Sequence, residues 1–210
     1  MAQRTHRLHS LQILFHLVGR CAIHCIPILR GNNRHLHQTK ILIQLIPGGR
    51  GARAAVKNPR DYTARSNLMW DATMAENRII KMGKKGDFQC HNMDHQLGAY
   101  TNCNHGQGLA VLHPIYYRYI YQEGLPKFVR FAENVWGLSP DGKSEEQLAE
   151  AGIQALAAFV RELGLPTTLR ELGLRDKGQL RDIANSCAIA AGSYKKLTHE
   201  EIFDIFNEAW

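Results

Sequence analysis

The run His91-Asn-Met-Asp-His95-Gln-Leu-Gly-Ala-Tyr-Thr-Asn-Cys-Asn-His105-Gly-Gln-Gly-Leu-Ala110 carries the pattern on which the rest of this 210-residue chain turns. His91 and His95 are four residues apart and so share one face of a helix. A polar Thr-Asn-Cys-Asn turn follows and can fold His105 back toward them. Imidazole is the commonest neutral nitrogen ligand for zinc and ferrous iron, and hydrolytic or redox sites usually keep one metal position open. The three rings suit a metal-centred redox site. Two histidines four apart, taken alone, are more often an ordinary pair with no metal, so the surrounding residues carry the weight.

Those surroundings read as helical. On the N-terminal side, Leu68, Met69, Ala72, Ala75, Ile79 and Ile80 recur at spacings of three and four, predicting one amphipathic helix from Asp61 to about Met82 after an Asn-Pro-Arg-Asp start. A Gly83-Lys-Lys-Gly86 break precedes the helix through His91 and His95, which is expected to end near Ala99. Gly106 to about Tyr121 then reads as an apolar helix that Pro114 could kink. Further helices are expected at Leu125–Trp136, Ser144–Leu163, Thr168–Glu171, Gly178–Ala191 and Thr198–Ala209. Ser144 with Gln147, and Thr198 with Glu201, fit capping boxes. Nothing reads as a repeated strand, so the fold class expected is an all-α helical bundle.

Several blocks in order resemble the C-terminal helical domain of the iron-containing alcohol dehydrogenases, in their butanol-dehydrogenase-like branch. They are Lys57-Asn-Pro-Arg-Asp-Tyr-Thr-Ala-Arg-Ser-Asn-Leu-Met-Trp70, the histidine run, Leu112-His-Pro114, Phe131-Ala-Glu-Asn-Val-Trp-Gly137, Gly164-Leu-Pro-Thr-Thr-Leu-Arg-Glu-Leu172 and Lys196-Leu-Thr-His-Glu-Glu-Ile202. The resemblance covers about residues 54–210. It implies that His91 and His105 are metal ligands, and that His95 lies beside the nicotinamide and the substrate as a catalytic and cofactor-facing residue. It further implies Fe(II) or Zn, NAD(P)H, and hydride transfer between a small primary alcohol and its aldehyde, with the cation acting as Lewis acid. The family's other two ligands, an Asp and a His four residues later on an earlier helix, have no counterpart here. Asp94 is read as a solvated helix residue, and His113 as packing or cleft lining.

The first sixty residues are of another kind. They hold ten of the 26 Lys and Arg and none of the 19 acidic residues, which leaves the remainder with 16 basic against 19 acidic groups and makes the overall +7 an N-terminal property. Such a basic excess raises nucleic acid or an anionic membrane as a partner. Here Arg4, Arg7, Arg20, Arg30 and Arg34 are scattered among apolar clusters with no basic block, so neither partner is expected. An organelle transit peptide would be Ser-rich, yet Ser10 is the sole serine before Ser66. No apolar stretch reaches the roughly twenty residues of a membrane span. Residues 1–53 are therefore read as a basic, acid-free segment of no recognisable fold, a product of frameshift or truncation, and 54–210 as the dehydrogenase-like domain.

Cys21, His24 and Cys25 lack the second Cys pair of a zinc knuckle, and Cys90, Cys103 and Cys187 are isolated, which fits a reducing cytoplasm. The tyrosines Tyr116, Tyr117, Tyr119 and Tyr121 fall at helical spacing without interleaved basic residues, which favours packing over base stacking. The only early glycine pair, Gly48-Gly49, is followed by Arg50 and lacks the strand and helix of a pyrophosphate-binding turn. The nucleotide-binding α/β domain that the resemblance implies is expected to be absent from this sequence, and the chain by itself is expected to be inactive. The expected partners are an alcohol or aldehyde in the intact enzyme and a second copy in a homodimer. The alternative is a non-enzymatic metal-binding or interaction module, with His35 and His37 as replacement ligands.

Overall fold

Residues 50–76, 86–191 and 194–210 are described by a computed structural model, and among them all regular structure is helical. The helices are α1 (Arg50–Lys57), α2 (Tyr62–Glu76), α3 (Gln89–Thr101), α4 (His105–Ile120), α5 (Leu125–Trp136), α6 (Glu145–Glu162), a 3-10 turn at Lys177–Gln179, α7 (Leu180–Ser186) and α8 (His199–Glu208). The all-α expectation holds for these residues. The readings placed on Cys21, His24, Cys25, His35, His37, Gly48-Gly49, Ile79 and Ile80 lie outside them.

Burial drives the arrangement. α4 is the central element: Leu109, Val111, Leu112, Tyr116, Tyr117 and Ile120 are all nearly sealed from solvent, so neighbours must cover it on several sides. α3, α6 and α8 do so. Tyr117 packs edge-on against Phe128 and Phe131 of α5 at 5.2 and 6.1 Å, aromatic contacts of ordinary core geometry. The tyrosine run thus packs, as its spacing indicates.

Chain-end chemistry sets the helix limits. Both capping boxes are formed, with the Ser144 and Thr198 side chains accepting from the Gln147 and Glu201 amides and the N3 side chains reaching back. α5 ends at Gly137, whose φ of 67° is the left-handed conformation that a C-terminal glycine adopts readily. α4 continues through Pro114 to Ile120.

Three local expectations need correcting. Thr168–Glu171 is a series of turns, held by the Leu169 N–H donating to the Ala209 carbonyl at 2.8 Å. The helix expected at Gly178–Ala191 stops at Ser186, because the following backbone is claimed by α3: Gln89 donates to the Ala188 carbonyl and accepts from the Ala190 amide at 2.7 Å, and Asn92 also donates to Ala188. On α2 the buried stripe runs through Ala64, Leu68 and Asp71, leaving Met69 and Trp70 exposed. Burial pushes the Asp71 carboxyl up to about 7. α1 buries Ala52 and Ala55 and is tied to α6 by an Arg53–Glu162 ion pair.

Candidate metal centre

The histidine run occupies α3, the turn after it and the start of α4. On α3, Cys90, His91, Met93, Asp94 and Leu97 fall at spacings of three and four and are all buried, so one stripe faces the bundle. The helix closes on Asn102, which adopts a left-handed φ of 51° and donates its N–H to the Gly98 carbonyl. Asn104 then caps α4, its side chain accepting from the Gly106 amide at 3.0 Å. His105 follows immediately, held where the chain doubles back.

The doubling back brings the rings together as the spacing suggests. His91 Nδ1 lies 3.1 Å from His105 Nε2, and the ring centroids are 5.1 Å apart. His95 stacks on His105 at 5.3 Å with a 28° tilt, but its side chain is exposed whereas His91 is fully buried. One imidazole of the i,i+4 pair therefore lies inside the bundle and the other at its surface.

Asp94 overturns its reading as a solvated residue. It is 2 % exposed and its Oδ2 contacts His105 Nδ1. Burial raises its carboxyl above the usual carboxylate range, an effect opposed by the hydrogen bond from His105. Two sequence signals pointed this way. Positions 91 and 94 share a helix face at i,i+3, and Gly106-Gln-Gly108 strips side chains from the start of α4. The space at Gly108 is what Asp94 fills: a Cβ there would stand 1.6 Å from Asp94 Oδ1.

His113 also lines this region, 6.3 Å from His91 between ring centroids. Its Nδ1–H donates to the Leu109 carbonyl at 2.9 Å, and burial lowers its pKa from 6.5 to about 4, so the ring stays neutral. That is the packing role read from the sequence. Burial likewise raises the Cys90 and Cys103 thiols, which keeps both protonated at neutral pH.

The chemistry of the donor set can be tested against a cation. Two nitrogens each about 2.0–2.1 Å from one metal ion are roughly 2.9–3.4 Å apart at octahedral to tetrahedral angles. The 3.1 Å between the His91 and His105 nitrogens falls inside that interval. The pair fits two adjacent positions of a cation's shell. No group of three or more His, Cys, Asp or Glu set to hold a metal occurs among the described residues.

The model of the C-terminal part of the Fe-containing alcohol dehydrogenase family matches residues 41–210. The chain belongs to that family. NADH-dependent butanol dehydrogenase A of Clostridium acetobutylicum is 34 % identical over 162 residues, covering 75 % of this chain and 41 % of that protein. NADPH-dependent aldehyde reductase YqhD of Escherichia coli is 35 % identical over 134 residues, covering 64 % and 33 %. The crystal structure of NADH-dependent butanol dehydrogenase A from Thermotoga maritima superposes with a TM-score of 0.78 at 26 % identity, covering 92 % of this chain and 50 % of that one. This member of the Fe-containing alcohol dehydrogenase family thus spans about two fifths of the Clostridium enzyme and half of the Thermotoga one. No helix among its described residues is long and apolar enough to cross a membrane.

Proposed function

We propose that this chain carries the cation-binding helical part of an enzyme that interconverts a small primary alcohol and its aldehyde, with hydride passing between the alcohol carbon and NAD(P)H. The observation that supports this most strongly is the 3.1 Å approach of two ring nitrogens from different helices. The names of the relatives, butanol dehydrogenases and an aldehyde reductase, supply the reaction class.

In this reading His91, rigid within the bundle, and His105, fixed at the capped start of α4, hold a divalent cation, Fe(II) or Zn. A bound cation supplies Lewis acidity at the oxygen that is a hydroxyl on one side of the reaction and a carbonyl on the other. His95 is the exposed member of the trio, stacked against His105. It therefore faces an arriving substrate and nicotinamide ring, orienting both and able to pass a proton through its ring. The two donors among the described residues leave a coordination shell incomplete, so the chain measured by itself is expected to bind the cation weakly and to oxidise no NADH with butyraldehyde.

Competition of the purified chain with a chromophoric chelator for Zn(II) tests the reading. His91→Ala with His105→Ala is expected to weaken binding by roughly 100-fold or more. Retention of zinc within threefold of the parent would overturn it.

A further inference from the structure

We propose that Asp94 is a positioning residue for His105, fixing which of its two ring nitrogens carries the proton and so which one is bare. The assignment rests on His105 being a cation donor. The Asp94 carboxylate meets His105 at Nδ1, on the far side of the ring from Nε2, the atom that faces His91. The Asp94 oxygen accepts from a ring N–H at Nδ1, and a ring with its one N–H there carries its lone pair on Nε2. The proton therefore sits on Nδ1, and Nε2 presents a lone pair toward His91.

The surrounding fold is built to keep the carboxylate there. Asp94 is 2 % exposed on the inward stripe of α3, out of competition from water. Gly108 lies three residues after His105, on the same face of α4. A Cβ at that position would stand 1.6 Å from Asp94 Oδ1 and 2.9 Å from its carboxyl carbon. No side chain at 108 is compatible with Asp94 in its place, so the bare backbone of α4 and the acid of α3 form one keyed contact.

The experiment uses the full chain, labelled with 15N at histidine and free of metal, with long-range proton–nitrogen correlation spectra reading the His105 tautomer. The wild-type ring is expected to be protonated at Nδ1. Asp94→Ala and, from the opposite helix, Gly108→Ala should both move His105 toward the Nε2–H tautomer that a free histidine side chain favours. Both should weaken Zn(II) by about 10–100-fold. Asp94→Asn keeps an acceptor oxygen and should retain the tautomer, with less than a tenfold loss.

Wild-type His105 protonated at Nε2, or a tautomer unchanged in Asp94→Ala, overturns the proposal. Should Asp94→Ala fail to fold, the wild-type and Gly108→Ala spectra decide it. A wild-type chain that binds no zinc would sink the cation reading instead, while the tautomer still reports on Asp94.

Discussion

The α5–α6 hairpin and the α3–α4 crossing use the same device for different ends. Each places a glycine where two helices touch. At the first, a Cβ on Gly152 would meet Ala132 Cβ at 2.8 Å and its Cα at 3.0 Å, so the missing side chain lets two backbones approach among Phe131, Leu148, Ile153, Leu156 and Phe159. At the second, the space left by Gly108 is filled by the carboxylate of Asp94, with His91 and His113 buried close by. Packing alone accounts for the first. Burying an acid and two imidazoles opposes folding unless each finds partners, so the second crossing holds residues that its stability does not call for.

If that division is right, stability and cation affinity should separate. Phe159 is 1 % exposed and packs edge-on against Trp136 at 5.6 Å. Phe159→Ala is expected to destabilise the chain by about 3–5 kcal/mol in thermal or denaturant unfolding. Zn(II) affinity of the folded fraction should stay within twofold. A parallel loss of both would mean that the hairpin shapes the histidine cluster, and the division would fall.

The polar crossing should betray itself by pH. His113 has a folded-state pKa of about 4 against an ordinary 6.5, owing to burial. Between those values the unfolded chain binds more protons than the folded one, so this residue's contribution is complete above pH 6.5 and is lost as pH falls toward 4. Carboxylates titrate in the same window, so the comparison is with His113→Leu. The wild type should lose on the order of 2–3 kcal/mol more than the variant between pH 7 and pH 4. Equal slopes would show that His113 is not sealed in the fold.

The parts of this fold legible in the sequence are those governed by neighbours along the chain. Ser144 with Gln147 and Thr198 with Glu201 mark α6 and α8 because capping is a contact over three residues. The convergence of His91 and His105 was likewise readable, since a short polar turn joins their helices. What escaped depends on residues about a hundred positions away or on empty space. The helix expected through Ala191 stops at Ser186 because Gln89 and Asn92 of α3 engage the backbone beyond it. Met69 falls on the apolar stripe by its spacing, whereas the bundle meets α2 along Ala64, Leu68 and Asp71. Asp94 reads as a solvated acid because it points off the face that His91 and His95 share, while the void at Gly108 that admits it belongs to another helix.

The smallest expected effect makes the finest comparison between the two crossings, because both α4 and α6 begin with a side-chain cap. Ser144 accepts from the Gln147 amide at 3.2 Å, and Asn104 accepts from the Gly106 amide at 3.0 Å. Replacing either by alanine is expected to reduce stability by about 1 kcal/mol. The consequences for the cation should differ. Behind Ser144 lies a helix start made of Glu145 and Glu146 with neither His91 nor His105 on it, so Ser144→Ala should leave Zn(II) affinity unchanged. Behind Asn104 lies His105 itself, and a frayed first turn lets its ring drift from His91 and Asp94. Asn104→Ala should therefore weaken Zn(II) by roughly threefold, since a loss of about 0.6 kcal/mol corresponds to that ratio. Identical affinities for the two variants would show that the cap holds the helix without holding the histidine, and would leave Asp94 as the element that sets the ring.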